Sequence, residues 1–133
     1  MSYSDPAPGG SRTTFKTFLF MKTKNLVSAI AAIAVANPLG FTVNIETLEP
    51  VTTGYAVALS ETQNSFGFDS LDHVIRVAQR TGAAVGGWYN SENGKYYFDA
   101  TLIVASYTVA AELAQLNEQI AFYSLDENKE YFI

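Results

Sequence analysis

A chain of 133 residues with 48% hydrophobic and 16% charged side chains can bury a core of its own, which excludes a chain that stays unfolded for want of apolar surface. It contains no cysteine, which excludes disulfide scaffolds, thiol nucleophiles, zinc fingers and iron–sulfur sites. The net charge of −5 is uneven: Arg12, Lys16, Lys22 and Lys24 oppose only Asp5, so the remaining 109 residues carry four basic and twelve acidic side chains, the wrong sign for displacing counterions from a nucleic acid.

The first segment, MSYSDPAPGGSRTT, is rich in Ser, Pro, Gly and Thr, and residues 1–20 are expected to be a disordered extension, with a single domain over 21–133. Met21 offers a second start, MKTKNLVSAIAAIAVANP. Two lysines ahead of an apolar run, with Ala34, Val35 and Ala36 in an A-x-A arrangement, give it the shape of a signal peptide, so export is the alternative to a cytoplasmic location. The leading reading is a buried helix over 26–36, stopped by Asn37 and Pro38 and too short to span a bilayer.

Phe41, Val43 and Ile45 alternate with Thr42 and Asn44 as a short strand, ended by the turn region around Pro50, and Tyr55–Leu59 reads as a second strand. The polar run Glu61-Thr62-Gln63-Asn64-Ser65 reads as a loop leading through Gly67 to a helix capped by Asp69, with Leu71, Val74, Ile75 and Ala78 on one face and Gly82 as its stop. Ala83–Asn90 and Lys95–Val104 are aromatic-rich strands, joined by a turn in which both Asn93 and Gly94 are expected to take positive φ. Ser106 or Thr108 can cap a second helix carrying Val109, Ala110, Leu113 and Ala114. A last strand over Ile120–Tyr123 precedes an end, 126–133, expected to fray.

From Tyr55 the order is strand, helix, strand, strand, helix, strand, which predicts an α+β domain of ferredoxin-like split βαβ type, with both helices on one face of an antiparallel sheet. The strand at 41–45 would add an edge, and the helix at 26–36 would cover the opposite face.

Catalytic constellations are largely missing. His73 is the only histidine and lies off the apolar face of its helix, so a surface position explains it better than a ligand or base role. No P-loop, nucleophile elbow, dinucleotide fingerprint or calcium loop is present, and no cofactor or metal is expected. Gly86-Gly87, inside a strand, points to a bulge or to close packing. Glu92 and Asp99 flank the hairpin without a partner that would split them into acid and base.

Two features read as candidate binding sites. In the first, Thr62, Gln63, Asn64 and Ser65 place four hydrogen-bonding side chains before a helix N-terminus, although a solvated connection has the same composition. In the second, Trp88, Tyr89, Tyr96, Tyr97 and Phe98 must divide between the two sheet faces, so that Trp88, Tyr89 and Tyr97 are candidates wherever a face lacks cover.

The motifs NPLGFTVN, ETQNSFG, GGWYNSENGKYYFD and NEQIAFYSL, in that order from residue 37 to 125, resemble a family of small bacterial proteins associated with gut-type anaerobes and with their phages and conjugative elements. The resemblance implies no activity. It implies a start near Met21 and an accessory role in a mobile element. The reading is therefore a non-catalytic binding or protein-interaction module, with a protein or small-molecule partner and a homodimer through an open sheet face as one form. No nucleic acid or membrane is expected as a partner. The alternative is a small hydrolase or transferase with a carboxylate-based site near residues 61–67.

Overall fold

The computed structural model describes residues 25–133, so the expectations for residues 1–20 and for the start at Met21 lie outside the described residues. The chain is α+β: among the described residues, three α-helices pack on a seven-stranded antiparallel open sheet.

Residues 25–36 form α1, whose Leu26, Val27, Ile30, Ile33 and Ala34 recur at helical spacing and turn inward as one stripe. The Asn37 amide closes this helix by donating to the Ile33 carbonyl, and Pro38 then prevents its continuation. Strand β1 (Phe41–Val43) follows, and Asn44 turns the chain by accepting from the backbone N–H groups of Glu46 and Thr47. Strand β2 is Tyr55–Ala58. Next come a 3-10 turn at Ser60–Thr62, the short strand β3 (Ser65–Phe66), a second 3-10 turn at Phe68–Ser70, and α2 (Leu71–Thr81). Helix α2 ends at Gly82, whose φ of 70° is the left-handed stop expected there. Strands β4 (Ala84–Asn90) and β5 (Lys95–Val104) form the central hairpin. Helix α3 (Tyr107–Leu116) starts on the expected cap, the Ser106 hydroxyl accepting from the Val109 N–H at 3.2 Å. Strands β6 (Ala121–Ser124) and β7 (Lys129–Phe132) close the chain.

The sheet order is β1-β4-β5-β2-β6-β7, with β3 beside β5. Residues paired across strands share a face, so register assigns every side chain. Phe41, Val43, Val85, Phe98, Ala100, Val57 and Phe122 face the helices. The α1 residues Ile30 and Ala34 belong to the same cluster as Val74, Ile75, Val85 and Phe98. A second cluster joins α3, through Ala110 and Ala114, to Val57, Phe122, Tyr55 and Tyr131.

Five sequence expectations change. Helix α1 shares the face of α2 and does not cover the opposite one, because its apolar stripe meets Val43 and Val85 at the β1–β4 end that α2 leaves open. Helix α2 has no side-chain cap; Asp69 lies in the preceding 3-10 turn, which supplies the first hydrogen bonds instead. Ser65 and Phe66 are not loop but strand, paired with Phe98 and Tyr97. The Asn93-Gly94 turn is the end of a four-residue loop in which only Gly94 has positive φ, 72°, while the Asn93 side chain accepts from the Lys95 N–H. The C-terminal segment is a paired strand, because Asn128 at φ 52° closes a loop of the same length and Tyr131 reaches the second core. Gly86 and Gly87 sit in unbroken register, so close packing is the reason for them: a Cβ on Gly87 would lie 2.7 Å from the Phe41 ring and 2.8 Å from Phe98.

Candidate functional site

The opposite sheet face carries no helix among the described residues. Register places Thr42 from β1, Ala84, Gly86, Trp88 and Asn90 from β4, and Lys95, Tyr97, Asp99, Thr101 and Ile103 from β5 on it. Ala56 and Ala58 from β2, Phe66 from β3, Ala121 and Tyr123 from β6, and Glu130 and Phe132 from β7 complete it.

Its aromatic residues form a row. The Trp88 and Tyr97 rings stack with centroids 5.4 Å apart and planes 19° off parallel, and Phe66 leans on Tyr97 at 6.0 Å. The Lys95 ammonium caps the row, 4.1 Å from the Phe66 centroid. The Asn93 amide donates to the Tyr97 hydroxyl at 2.8 Å, which ties the row to the hairpin loop. Trp88 and Phe66 remain 47% and 45% exposed, large values for side chains of this size.

Beside the row the floor drops to small side chains, Gly86, Ala84, Ala58 and Thr101. Asp99 lies at this step. It pairs across the sheet with Gly86, and its Oδ1 fills the space that a Cβ there would need, 2.9 Å away. Loss of water on burial pushes its carboxyl up from 3.8 to about 6, although the residue as a whole keeps partial access to solvent. Neither of the two ion pairs of the described residues, Arg76–Asp72 and Arg80–Glu61, involves it.

The two candidates from sequence fare differently. Thr62 is 1% exposed and internal: its hydroxyl accepts from the Ala100 N–H at 3.0 Å and donates to the Leu59 carbonyl at 3.3 Å, bridging the place where β2 leaves β5. Gln63 and Asn64 are exposed, Asn64 with φ of 61°, and Ser65 belongs to β3. The four do not converge. Of the hairpin aromatics, Trp88 and Tyr97 come together on the open face, whereas Tyr89 packs against Tyr96 at 4.8 Å on the helix-bearing face. The His73 Nε2–H donates to the Glu61 carbonyl at 3.1 Å, holding α2 to the 3-10 turn at 60–62. Glu92 is exposed in the hairpin loop. Sequence reasoning missed Phe66, hidden in a segment read as loop, and considered Asp99 only as a carboxylate without an acid–base partner, not as part of a binding face, although an acidic residue amid a run of strand formers is a signal.

A recess of about 800 Å³ is lined by Leu26, Ile45, Gly82, Leu102 and Val104 together with Ala84 and Ile103, and Glu46 is the one ionisable residue among its described lining. Among the described residues no three His, Asp or Glu side chains gather as a metal site requires, and no helix is long and apolar enough to cross a membrane. Comparison with protein families, with curated proteins and with solved structures finds no match.

Proposed function

We propose that the protein is a non-catalytic interaction module of ferredoxin-like plan that recognises its partner through the sheet face opposite the helices. The observation that carries this reading is the Trp88–Tyr97–Phe66 row, two of whose rings are nearly half exposed on a face without described cover. Rigid aromatics on a sheet present a large contact area at little cost in conformational entropy. The ferredoxin-like reading draws on two interleaved crossovers: β2-α2-β4 straddles β5, and β5-α3-β6 straddles β2. The motif resemblance adds an accessory role in a mobile element.

A carboxylate-based enzyme has one supporting observation, the raised pKa of Asp99. Acid–base chemistry would need a second titratable group within hydrogen-bond reach; of the neighbours of Asp99 on this face, Gly86, Tyr97 and Thr101, only Tyr97 titrates, and its hydroxyl is hydrogen-bonded by the Asn93 amide. The interaction reading is therefore preferred. Replacing both Trp88→Ala and Tyr97→Ala should leave thermal stability within about 1 to 2 kcal/mol of wild type, since both rings are partly solvated, and should abolish retention of the proteins that the wild-type chain captures. A folded double variant that keeps every partner overturns the reading.

A further inference from the structure

We propose that this face docks a basic, apolar peptide segment of a partner protein, seating an arginine or lysine head at Asp99 and apolar side chains along Trp88, Tyr97 and Phe66. The inference rests on the interaction reading above and adds the chemistry of the occupant.

Charge carries the argument. The described residues carry four basic side chains, and none forms an ion pair with Asp99: Arg76 pairs with Asp72, Arg80 with Glu61, Lys129 lies over Tyr131, and Lys95, at the other end of the row on this face, lies over Phe66. Asp99 is the acidic group beside the aromatic row, and water is partly withheld from it. A carboxylate in that position gains most from a cation that brings its own hydrogen-bond donors and so replaces the lost water. The Asp99 carboxylate lies over Gly86, which has no side chain to crowd it, and the stacked Trp88 and Tyr97 rings offer an incoming head group a π surface two residues along the strands. A guanidinium fits both demands because it is planar, weakly hydrated and able to bind a carboxylate by two donors.

Charge also argues against a second copy of the same face. Among the described residues, a two-fold contact would bring two Asp99 carboxylates and two strongly acidic bodies together with Lys95 as the one cation on each face. The titratable groups that share the face are Tyr97 and Lys95 on β5, Tyr123 on β6 and Glu130 on β7, while β1, β2, β3 and β4 contribute none.

Trp88 is the only tryptophan, so its emission reports on this face alone. The full chain is titrated with an acetylated, amidated Leu-Phe-Arg-Phe-Leu peptide and with the same peptide carrying Glu in place of Arg. The arginine peptide should shift Trp88 emission saturably at neutral pH and the glutamate peptide should not. Asp99→Asn, shown to be folded by thermal unfolding, should weaken the arginine peptide by about tenfold or more. Wild-type binding should also weaken as pH falls through about 6, and binding by the variant should not.

Equal binding of the two peptides, or an Asp99→Asn variant that binds like wild type, overturns the cationic assignment and leaves the interaction face standing. If neither peptide moves Trp88, the assignment falls, and the face falls with it only if the Trp88→Ala and Tyr97→Ala variant also keeps its partners. Light scattering that shows a dimer dissociated by Trp88→Ala makes a second copy the occupant. A chain lacking residues 1–20 whose Trp88 emission changes without peptide makes the chain's own N-terminal segment the occupant. Either result overturns the proposal.

Discussion

Thr62 and Asp99 are both polar residues drawn into an apolar sheet, with opposite energetic consequences. The Thr62 hydroxyl is matched on both sides, by the Ala100 N–H and the Leu59 carbonyl, so removing it leaves a buried donor without a partner. Thr62→Val should lower stability by about 1 to 3 kcal/mol, whereas Gln63→Ala, one residue on and exposed, should stay within about 0.5 kcal/mol; urea unfolding distinguishes them. Asn64 belongs with neither, because its φ of 61° makes glycine the appropriate replacement there. Asp99 is the reverse case: its carboxyl titrates near 6 in the folded chain and near 3.8 when exposed, so the folded state holds the proton more tightly. Stability from this group is greatest below the unfolded value and is lost as pH rises from about 3.8 to about 6. Asp99→Asn should therefore raise stability by about 1 to 2 kcal/mol at neutral pH, with the difference fading toward pH 4. Thermal scans across that range would show it, and a gain that did not depend on pH would refute desolvation of the carboxylate as its cause.

Among the elements, the central hairpin depends on its loop. Gly94 donates its N–H to the Asn90 carbonyl at 2.8 Å with φ at 72°, a conformation that a β-branched residue enters only with strain. Gly94→Val should lower stability by about 1 kcal/mol or more, and Ser91→Ala, in the exposed part of the loop, by much less. Equal effects in chemical denaturation would show that the loop does not need the left-handed position. The same geometry recurs at Asn128, where φ is 52°. There the sequence signal is weaker, since asparagine between Glu127 and Lys129 reads as part of a charged tail and only the pairing of Phe122 with Tyr131 makes it a turn. Local chemistry thus reveals a hairpin when glycine and flanking strands coincide, and conceals it when the second strand is short and charged.

At the scale of the molecule, α1 is part of the core. Ile30 is fully buried with Val74, Ile75, Val85 and Phe98, so cutting after Ala36, as a signal-peptide reading requires, would strip cover from the β1–β4 end of the sheet. Ile30→Ala should cost about 2 to 5 kcal/mol, and one cooperative transition in calorimetry should shift as a whole. A neutral Ile30→Ala would mean that α1 is dispensable to the fold, which is what the leader reading requires.

The sequence by itself determined the α+β class, the three helical stretches, the central hairpin and the Gly82 stop, and narrowed the α3 cap to Ser106 or Thr108, because each is written in contacts a few residues apart: apolar periodicity, a hydroxyl before a helix, a glycine after one. Strand alternation, a property of the backbone, also divides the hairpin aromatics between two faces, but only the register of the β4–β5 pairing puts Trp88 with Tyr97 and Tyr89 with Tyr96. Only the tertiary structure decided which face the helices cover, because an apolar stripe such as that of α1 fits either side of a sheet and the choice rests on where β1 and β4 leave room. For the same reason the candidate site was half legible. Its aromatic row could be listed from the sequence, but Phe66 joined it through a two-residue strand too short to show a period. Asp99 came to lie over Gly86, 13 positions away in the chain, and to lose water by burial only in the folded sheet.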